Sequence, residues 1–501
     1  MSGWGGGYVT DIAYVTGWHR QQSPSIMALA CWFGGVAASM PAADDPVSYL
    51  ELGCGNGFGA MALAASNPAW RVTAIDFNPA HIAVAREWAA EAGVANIEFI
   101  EADLATLAGD AAARSVPMAD FVSLHGLWSW VPPPVRAGVV ALLGDKVRPG
   151  GTVHVSYNAL PAWGSAIGLQ RLMRAAGRQR VGRSDRQAVE GFKFVRELLS
   201  AGALQLHRSY LAHELMERLD KLPLVYLTHE FMNESWAPCF MPDVAEAMAG
   251  AKLDWAGSAQ LHENFPGLTM SEQQRALVGQ FDDPLLRELV KDHCLDRVIR
   301  HDVYVRGARR LLPRQRDASL LALSIGLNIP PGELPAEVDV PGGKGTLNQA
   351  FYGPIARALA DGPRRVGELL ELPDVAGARD NPAELVGMLV GAELADPALR
   401  PGAPPSPAVR RFNAVAARRP VPIELIDQPL AAATPRMGMP APASVIDLIV
   451  LEQTLAGAAG LDELVRAVGR VTSVADETKL RAVLTASMER RLPRLRAAGV
   501  W

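Results

Sequence analysis

The fold is decided by residues 47–59, which read VSYLELGCGNGFG. A short apolar run ends in an acid, Glu51, and then in alternating glycines, and an Ala-rich segment of helical composition follows from Ala60. This order predicts a strand, a tight glycine loop and a helix, a turn that brings backbone N–H groups and a helix N-terminus to a ligand. A dinucleotide-binding fingerprint would need its third glycine at position 58, where this chain has Phe58. On this stretch alone, an ordinary turn is an equal alternative.

Composition and length limit the classes of protein that the chain can represent. With 501 residues, it is expected to hold about three domains. Its net charge of −5 argues against a general nucleic-acid binder. The four cysteines, at positions 31, 54, 239 and 294, form no C-x-x-C pair. They indicate reduced thiols in a cytoplasmic protein rather than a disulfide framework or a zinc site.

The most apolar segment, residues 26–40, is short for a membrane span and contains two glycines. A signal peptide is a competing interpretation, because Arg20 precedes the segment and small residues follow it. Asp11 and several aromatic residues also precede it, which makes a poor positively charged leader. We therefore predict no membrane insertion, and a helix packed beside the catalytic core at the end of an N-terminal arm covering residues 1–45.

Five predicted strands follow one another from residue 47, separated by segments of helical composition. They cover residues 47–52, 71–76, 96–100, 120–124 and 152–157. Repeated strand and helix units are typical of a parallel sheet, so this part of the chain is predicted to be an α/β domain. Acids or glycines end four successive strands, and the carboxyl ends of parallel strands form the edge at which ligands bind.

Two acids at that edge indicate how a nucleoside would be held. Asp76 ends the second strand about twenty residues past the glycine loop, where a ribose-binding carboxylate belongs. One carboxylate can accept hydrogen bonds from both ribose hydroxyls, which explains the residue type. Asp103 follows the third strand and can accept a proton from the adenine amino group.

The spacing E-x-G-x-G-x-G across residues 51–57 resembles motif I of class I S-adenosylmethionine (AdoMet) methyltransferases. Two further blocks are more specific, HGLWSWVP at 125–132 and VSYN-x-x-P-x-W at 155–163. With them the chain resembles the class I methyltransferases that carry a methyltransferase regulatory domain, a group that includes bacterial protein-lysine methyltransferases of outer-membrane proteins. The resemblance covers residues 8–310 and departs from the usual pattern at Ala162, where glycine is common.

The resemblance implies a Rossmann-like class I methyltransferase sheet, a bound S-adenosyl-L-methionine and a protein lysine as methyl acceptor. The residues expected to bind the cofactor are Glu51, Gly53, Gly55, Gly57, Asp76 and Asp103.

Four residues are candidates for catalysis. Methyl transfer from a sulfonium is an in-line displacement, so the protein mainly aligns the reacting groups and excludes water. A lysine acceptor must first lose a proton, and a desolvated aromatic pocket lowers its pKa. We expect Trp128 and Tyr157, with Trp130 as a further aromatic candidate, to form that pocket. His125 is expected to relay the proton and Asn158 to orient the amine. Core packing of either Trp128 or Trp130, and a structural role for His125, are the alternatives.

Metal and nucleic-acid sites are not expected. The pairs His213-Glu214, His229-Glu230 and His262-Glu263 each lack the second histidine of the H-E-x-x-H zinc motif. The Asn- or Asp-Pro-Pro-aromatic block that marks many methylases of exocyclic amines is absent after the fourth strand, which weighs against DNA as the substrate.

We predict that strands at 223–231 and 252–258 close the sheet as an antiparallel pair. The predicted domains are a methyltransferase domain at 46–262 with a helical insertion at 165–220, a helical regulatory-type region at 263–317, a small α/β module at 318–400 resembling a winged helix, a Pro/Ala-rich linker at 401–445 and a helical region at 446–501.

An arginine-dense stretch at 171–186 is either a docking surface for an acidic protein segment or a solvated helix and loop.

Two other functions share the same cofactor. A small-molecule or natural-product methyltransferase is disfavoured because more than two hundred residues follow the predicted catalytic domain, a length that suits macromolecular recognition. A non-catalytic AdoMet-binding regulator would bind cofactor without turnover. A homodimer stays open.

Overall fold

The structure, a computed structural model, describes residues 5–12, 16–42, 44–218, 222–377, 380–419, 430–457, 460–470 and 476–501. Its centre is a seven-stranded sheet in the order β3-β2-β1-β4-β5-β7-β6. The strands are β1 (Ser48–Leu52), β2 (Arg71–Asp76), β3 (Ile97–Glu101), β4 (Ala119–Leu124), β5 (Val147–Asn158), β6 (Leu253–Ser258) and β7 (Ile299–Arg306). Strands β1 to β5 pair in parallel, and β7 runs antiparallel to both β5 and β6. The predicted Rossmann-like sheet is confirmed.

Helices cover both faces of this sheet. In the part of the chain that forms it they are α1 (Pro24–Phe33), α2 (Phe58–Ser66), α3 (Pro79–Ala92) and α4 (Pro133–Lys146). The helix predicted over the apolar segment that ends at residue 40 is the buried α1, which contacts β5, β6 and β7. It is shorter than expected, because it ends at Phe33. None of the described helices has both the length and the apolar character that crossing a membrane requires.

A helical insertion follows β5 and precedes β6. Its helices are α5 (Ile167–Gly177), α6 (Ser184–Ser200), α7 (Leu204–His207), α8 (Tyr210–Arg218) and α9 (Leu224–Phe231), and α10 (Met241–Ala249) leads back into the sheet. The strand predicted at 223–231 is wrong, because these residues form α9. The insertion has its own apolar core, in which Met173 and Phe192 pack with Val9 and Ile12 of the N-terminal arm.

The strand that completes the sheet lies where the sequence indicated only helices. After α11 (Pro266–Thr269), α12 (Glu272–Val278) and α13 (Pro284–Asp292), the chain enters β7 between β5 and β6. The sheet therefore extends past the boundary predicted at residue 262. The charged residues of β7 hid it, because Arg300 and Asp302 are buried and paired with each other instead of exposed to solvent.

The C-terminal half contains helices and small sheets. Its helices are α14 (Pro313–Ala322), α15 (Gln349–Ala358), α16 (Val366–Leu370), α17 (Pro382–Gly391), α18 (Pro407–Arg418), α19 (Val445–Leu455), α20 (Leu461–Gly469), α21 (Glu477–Ala486) and α22 (Leu492–Ala497). Its strands are β8 (Ser324–Leu327), β9 (Glu337–Val340), β10 (Gly343–Thr346), β11 (Arg364–Arg365), β12 (Ala395–Pro397), β13 (Leu430–Ala432) and β14 (Ala441–Ala443). Whether the module at 318–400 is a winged helix stays a prediction.

The region predicted as a loose linker, 401–445, is largely packed where the structure describes it. Helix α18 lies against α2 and α3, and Phe412 is buried with its ring centroid 5.7 Å from that of Phe58. Upstream of it, Arg400 donates hydrogen bonds to the Ser66 carbonyl and to the Asn67 side chain at the end of α2. The linker prediction is therefore wrong, since apolar residues at helical spacing lie among the prolines and alanines.

Candidate functional site

The glycine loop joins β1 to α2 in a conformation that only glycine adopts readily. Gly53, Gly55 and Gly57 have φ values of 75°, 55° and 73°. At Gly57, which immediately precedes α2, an added Cβ would also lie 2.4 Å from Phe99 Cε1. The loop therefore keeps its backbone free of side chains at the N-terminus of α2, as a bound anionic or nucleoside group requires.

Glu51 lies buried at the end of β1, directly before this loop. Its Oε1 accepts a hydrogen bond of 3.0 Å from Gln22 Nε2, while Oε2 is buried without a hydrogen-bond partner among the described residues. Burial, partly offset by the Gln22 bond, raises the pKa of Glu51 to about 7. An unpartnered buried carboxylate oxygen is costly, which fits a ligand that donates a hydrogen bond at this point.

Asp76 ends β2 beside the loop, as the sequence predicts. Its Oδ2 accepts a hydrogen bond of 2.8 Å from Gly55 N–H, and its Oδ1 accepts one of 2.9 Å from Asn78 N–H. The carboxylate is buried, and it fixes the loop against the end of β2. Asp103, by contrast, is exposed and accepts a hydrogen bond from Ala105 N–H within its own turn.

The N-terminal arm crosses this edge of the sheet. Thr16 Oγ1 accepts a hydrogen bond of 2.6 Å from Asn56 Nδ2 in the glycine loop. The Tyr8 ring packs edge-on against Phe77, with centroids 5.9 Å apart, and 6.0 Å from the ring of His229 in α9. The arm thus connects the loop, the end of β2 and the helical insertion.

His125 follows β4 at the same edge. Its Nδ1 lies 3.1 Å from Ser156 Oγ in β5, and its ring stacks on the exposed His19 of the arm with centroids 3.7 Å apart. Burial and the neighbouring histidines lower its pKa well below the usual value. His125 is therefore a neutral imidazole at physiological pH, between the arm and the end of β5.

Asn158, the last residue of β5, contacts a carboxylate that the sequence did not single out. Its Nδ2 donates a hydrogen bond of 3.1 Å to Glu230 Oε1, from α9 of the insertion. Desolvation raises the pKa of Glu230 to about 7, against which the Asn158 hydrogen bond acts in the opposite direction. The pair brings a carboxylate that titrates near neutrality to the end of β5.

Tyr157 and Trp128 lie in the core on the face of the sheet opposite to Asn158. Side chains alternate along a strand, so Tyr157 faces the opposite side of the sheet from Ser156 and Asn158. Its hydroxyl donates a hydrogen bond to Asp302, which also receives two hydrogen bonds of 2.9 Å from Arg300. Trp128 is buried in the core on that same side, with Arg136 over its ring at 5.5 Å. Neither residue joins the groups gathered around His125 and Asn158.

Three other indoles form an aromatic cluster near the ends of β4 and β5, which we call the tryptophan cluster: Trp130, Trp163 and Trp236. The ring centroid of Trp236 lies 6.2 Å from that of Trp130 and 5.4 Å from that of Trp163. Ser129, next to Trp130, accepts a hydrogen bond from Asn158 N–H, so the cluster adjoins the Asn158–Glu230 pair along the chain. Of the two tryptophans weighed at 128 and 130, it is thus Trp130 that lies at this edge.

Comparison with known proteins identifies the family. Residues 50–151 match the family described as "Methyltransferase domain", and residues 223–306 match "Predicted methyltransferase regulatory domain". The chain is also 32% identical over 366 residues to the uncharacterized protein sll1526 of Synechocystis sp., covering 73% of this chain and 71% of the relative. The chain belongs to the class I methyltransferases that carry this regulatory domain. The cofactor of this methyltransferase is S-adenosylmethionine.

Other relatives are more distant. The methyltransferase is 26% identical over 202 residues to the uncharacterized protein RP789 of Rickettsia prowazekii, covering 37% of this chain and 35% of that protein. Its fold is similar to that of PKMT2 from Rickettsia typhi in complex with AdoHcy, with a TM-score of 0.65 and 15% identity over 97% of this chain and 100% of that chain. At this identity the similarity concerns the fold.

The segment matching the regulatory domain of this methyltransferase is built into the sheet. Residues 223–306 include α9, β6 and β7, and they supply Glu230, Trp236 and the buried His301. Glu230 and Trp236 lie more than 70 positions from Asn158 in the sequence, and His301 lies in β7, where the sequence predicts a helix. No local pattern therefore connects these residues with the site. In the sequence, the His229-Glu230 pair matches only an incomplete zinc motif.

Proposed function

We propose that this methyltransferase transfers methyl groups from S-adenosylmethionine to lysine side chains of a protein substrate. The observation that carries the proposal is the Asn158–Glu230 pair, a carboxylate with a pKa of about 7 beside the tryptophan cluster at the cofactor edge of the sheet. When bound, S-adenosylmethionine supplies an electrophilic methyl group on a positively charged sulfur.

The glycine loop and the acids around it are proposed to hold the cofactor. Gly53, Gly55 and Gly57 leave room for it beside the backbone, and Glu51 offers the unpartnered Oε2 to a donor. Asp76 is proposed to accept hydrogen bonds from ribose hydroxyls while it keeps the loop in place. Asp103 is proposed to receive the adenine amino group.

A lysine acceptor needs a base, because its ammonium has a reference pKa of about 10.4 and only the neutral amine attacks. We propose that Glu230 accepts this proton, since a base is most effective when its pKa lies near the working pH. Asn158 holds the Glu230 carboxylate and orients the amine. The tryptophan cluster favours a cationic side chain and excludes water from it.

The roles expected for Tyr157 and Trp128 are not part of this proposal. The Tyr157 hydroxyl is engaged by Asp302 on the other face of the sheet, and Trp128 packs in the core. His125 lies at the same edge of the sheet as the glycine loop, between His19 of the arm and Ser156 of β5.

A protein substrate is supported by the exposed surface of the helical insertion. The helical insertion carries exposed apolar and basic side chains, among them Val189, Lys193, Phe194 and Tyr226. A small metabolite would need none of this area, whereas a protein segment that presents a lysine would use it. Cytoplasmic localisation stays a prediction.

The test is transfer of label from methyl-labelled AdoMet to proteins in a bacterial extract, followed by hydrolysis and identification of the labelled amino acid. Methylated lysine is expected, and Glu230→Gln should lower the initial rate at least a hundredfold. Glu234→Gln is the matched control, because Glu234 lies four residues further on, is exposed and pairs with Arg178. Label confined to small molecules, or an undiminished rate in Glu230→Gln, would contradict the proposal.

A further inference from the structure

Three histidines that are far apart in the sequence meet at the cofactor edge. His125 follows β4, His154 lies in β5 and His301 lies in β7. One ring nitrogen of each lies within 4.8 Å of the other two. We propose that His125, His154 and His301 bind one divalent transition-metal ion of the Zn²⁺ class. This site is unrelated to the three His-Glu pairs of the sequence analysis.

The distances are close to those of a three-histidine site. His154 Nε2 lies 3.1 Å from His301 Nδ1. In a tetrahedral zinc site with Zn–N bonds of about 2.0–2.1 Å, two ligand nitrogens lie about 3.3 Å apart. His125 has to approach by at most about 1.5 Å, the difference between that spacing and 4.8 Å. It can do so because it is only half-buried and precedes Gly126, which has a φ of 60°.

Hydroxyl groups hold the other ring nitrogens of two of these histidines. Ser123 Oγ lies 3.1 Å from His154 Nδ1, and Ser156 Oγ lies 3.1 Å from His125 Nδ1. Metal-binding histidines commonly donate their second N–H to an oxygen acceptor, which fixes the tautomer and the ring orientation, and a serine hydroxyl oxygen can accept such a bond. Here the partners leave Nε2 of His125 and Nε2 of His154 for the ion.

A neutral imidazole offers a lone pair to a metal ion, and histidine is the commonest metal ligand in proteins. The closest carboxylate of β7, Asp302, points to the opposite face of the sheet, where Arg300 pairs with it.

The site is connected to the cofactor loop through two residues. Ser123 Oγ accepts a hydrogen bond of 3.3 Å from Gln22 Nε2, which also donates to Glu51 Oε1 at 3.0 Å. An ion on His154 would therefore set the orientation of the side chains that hold Glu51. It would also tie the ends of β4, β5 and β7 together and make His125 a metal ligand instead of a proton relay.

The experiment measures metal binding directly and does not depend on the methyl acceptor. The full chain is purified without a histidine tag, stripped with a chelator and titrated with Zn²⁺ against a chromogenic indicator, and Co²⁺ is added separately to record its visible absorption. One equivalent of Zn²⁺ and a tetrahedral Co²⁺ spectrum are expected. His301→Asn and His154→Asn should each weaken binding at least a hundredfold, and Ser123→Ala about tenfold.

The matched control is His213→Asn. It removes one of two neighbouring histidines in the helical insertion, His207 and His213, whose ring centroids lie 5.6 Å apart. It should leave the affinity unchanged. If either buried variant does not fold, His125→Asn takes its place. A wild-type chain that binds less than a tenth of an equivalent, or undiminished binding in the folded variants, would overturn the proposal and leave a hydrogen bond between His154 and His301.

Discussion

Replacement of Asp76 by asparagine tests the cofactor site without any methyl acceptor. The two carboxylate oxygens of Asp76 each receive a backbone N–H, from Gly55 at 2.8 Å and from Asn78 at 2.9 Å. In Asp76→Asn, one of these oxygens becomes an NH₂ group, which cannot accept either hydrogen bond. The variant also loses the charge to which the ribose hydroxyls are proposed to donate.

A hydrogen bond to a charged group contributes about 1.5–3 kcal/mol. Because each 1.4 kcal/mol is a factor of ten in an equilibrium constant, AdoHcy should bind about ten to one hundred and fifty times more weakly to Asp76→Asn. The affinity is measured by isothermal titration calorimetry on the full chain, with the melting temperature recorded for each variant.

The matched control is Asp120→Asn. Asp120 also accepts a backbone hydrogen bond of 2.8 Å, from Ser48, and pairs with Arg148, but it lies at the opposite end of the parallel strands. This variant should lose stability and keep its affinity for AdoHcy. An affinity of Asp76→Asn within threefold of the wild type would refute the reasoning, as would an equal loss in Asp120→Asn.

Three further predictions concern the loop, the opposite face of the sheet and pH. Gly57→Ala should weaken AdoHcy binding at least tenfold, because a φ of 73° costs a residue with a side chain about 1–2 kcal/mol and its Cβ would collide with Phe99; Gly109→Ala, at an open position, should bind normally. Tyr157→Phe should lower the melting temperature, since Asp302 loses a buried donor, and should keep kcat within twofold; a large fall in kcat at an unchanged melting temperature would restore the catalytic role. The raised pKa of Glu51, about 7, means that its charge destabilises the cofactor-free protein as pH rises from about 4.5 through 7. Glu51→Gln should therefore raise the melting temperature at pH 8 and not at pH 4.5, and equal shifts at both pH values would contradict this.

The glycine loop and the first five strands were predictable because their signals are local. An apolar run, a change of period and a turn residue lie within about twenty residues of one another in each unit. The two acids that end β1 and β2 followed from the same reading, and the structure brings both to the loop.

What could not be predicted depends on partners that are distant in sequence. The charged residues Arg300 and Asp302 make β7 look exposed in the sequence. Their burial depends on ion pairs of Arg300 with Asp302 and with Glu288 and Asp292 in α13. The strand predicted at 223–231 is instead α9, whose Leu227 and Phe231 pack in the apolar core of the insertion. The Asn158–Glu230 pair could not be predicted for the same reason. A strand at 223–231 would not have brought Glu230 to the end of β5.

The packing of α18 against α2 and α3 has a practical consequence for anyone who shortens the gene. A fragment that stops after β7, where the central sheet is complete, would strip Phe412 from Phe58 and remove Arg419 from the ring of Trp88. The apolar side of α2 that packs against α18 would then be exposed to water. Such a fragment is expected to aggregate on expression, so residues 307–501 should be kept whenever the part of the chain that forms the central sheet is produced.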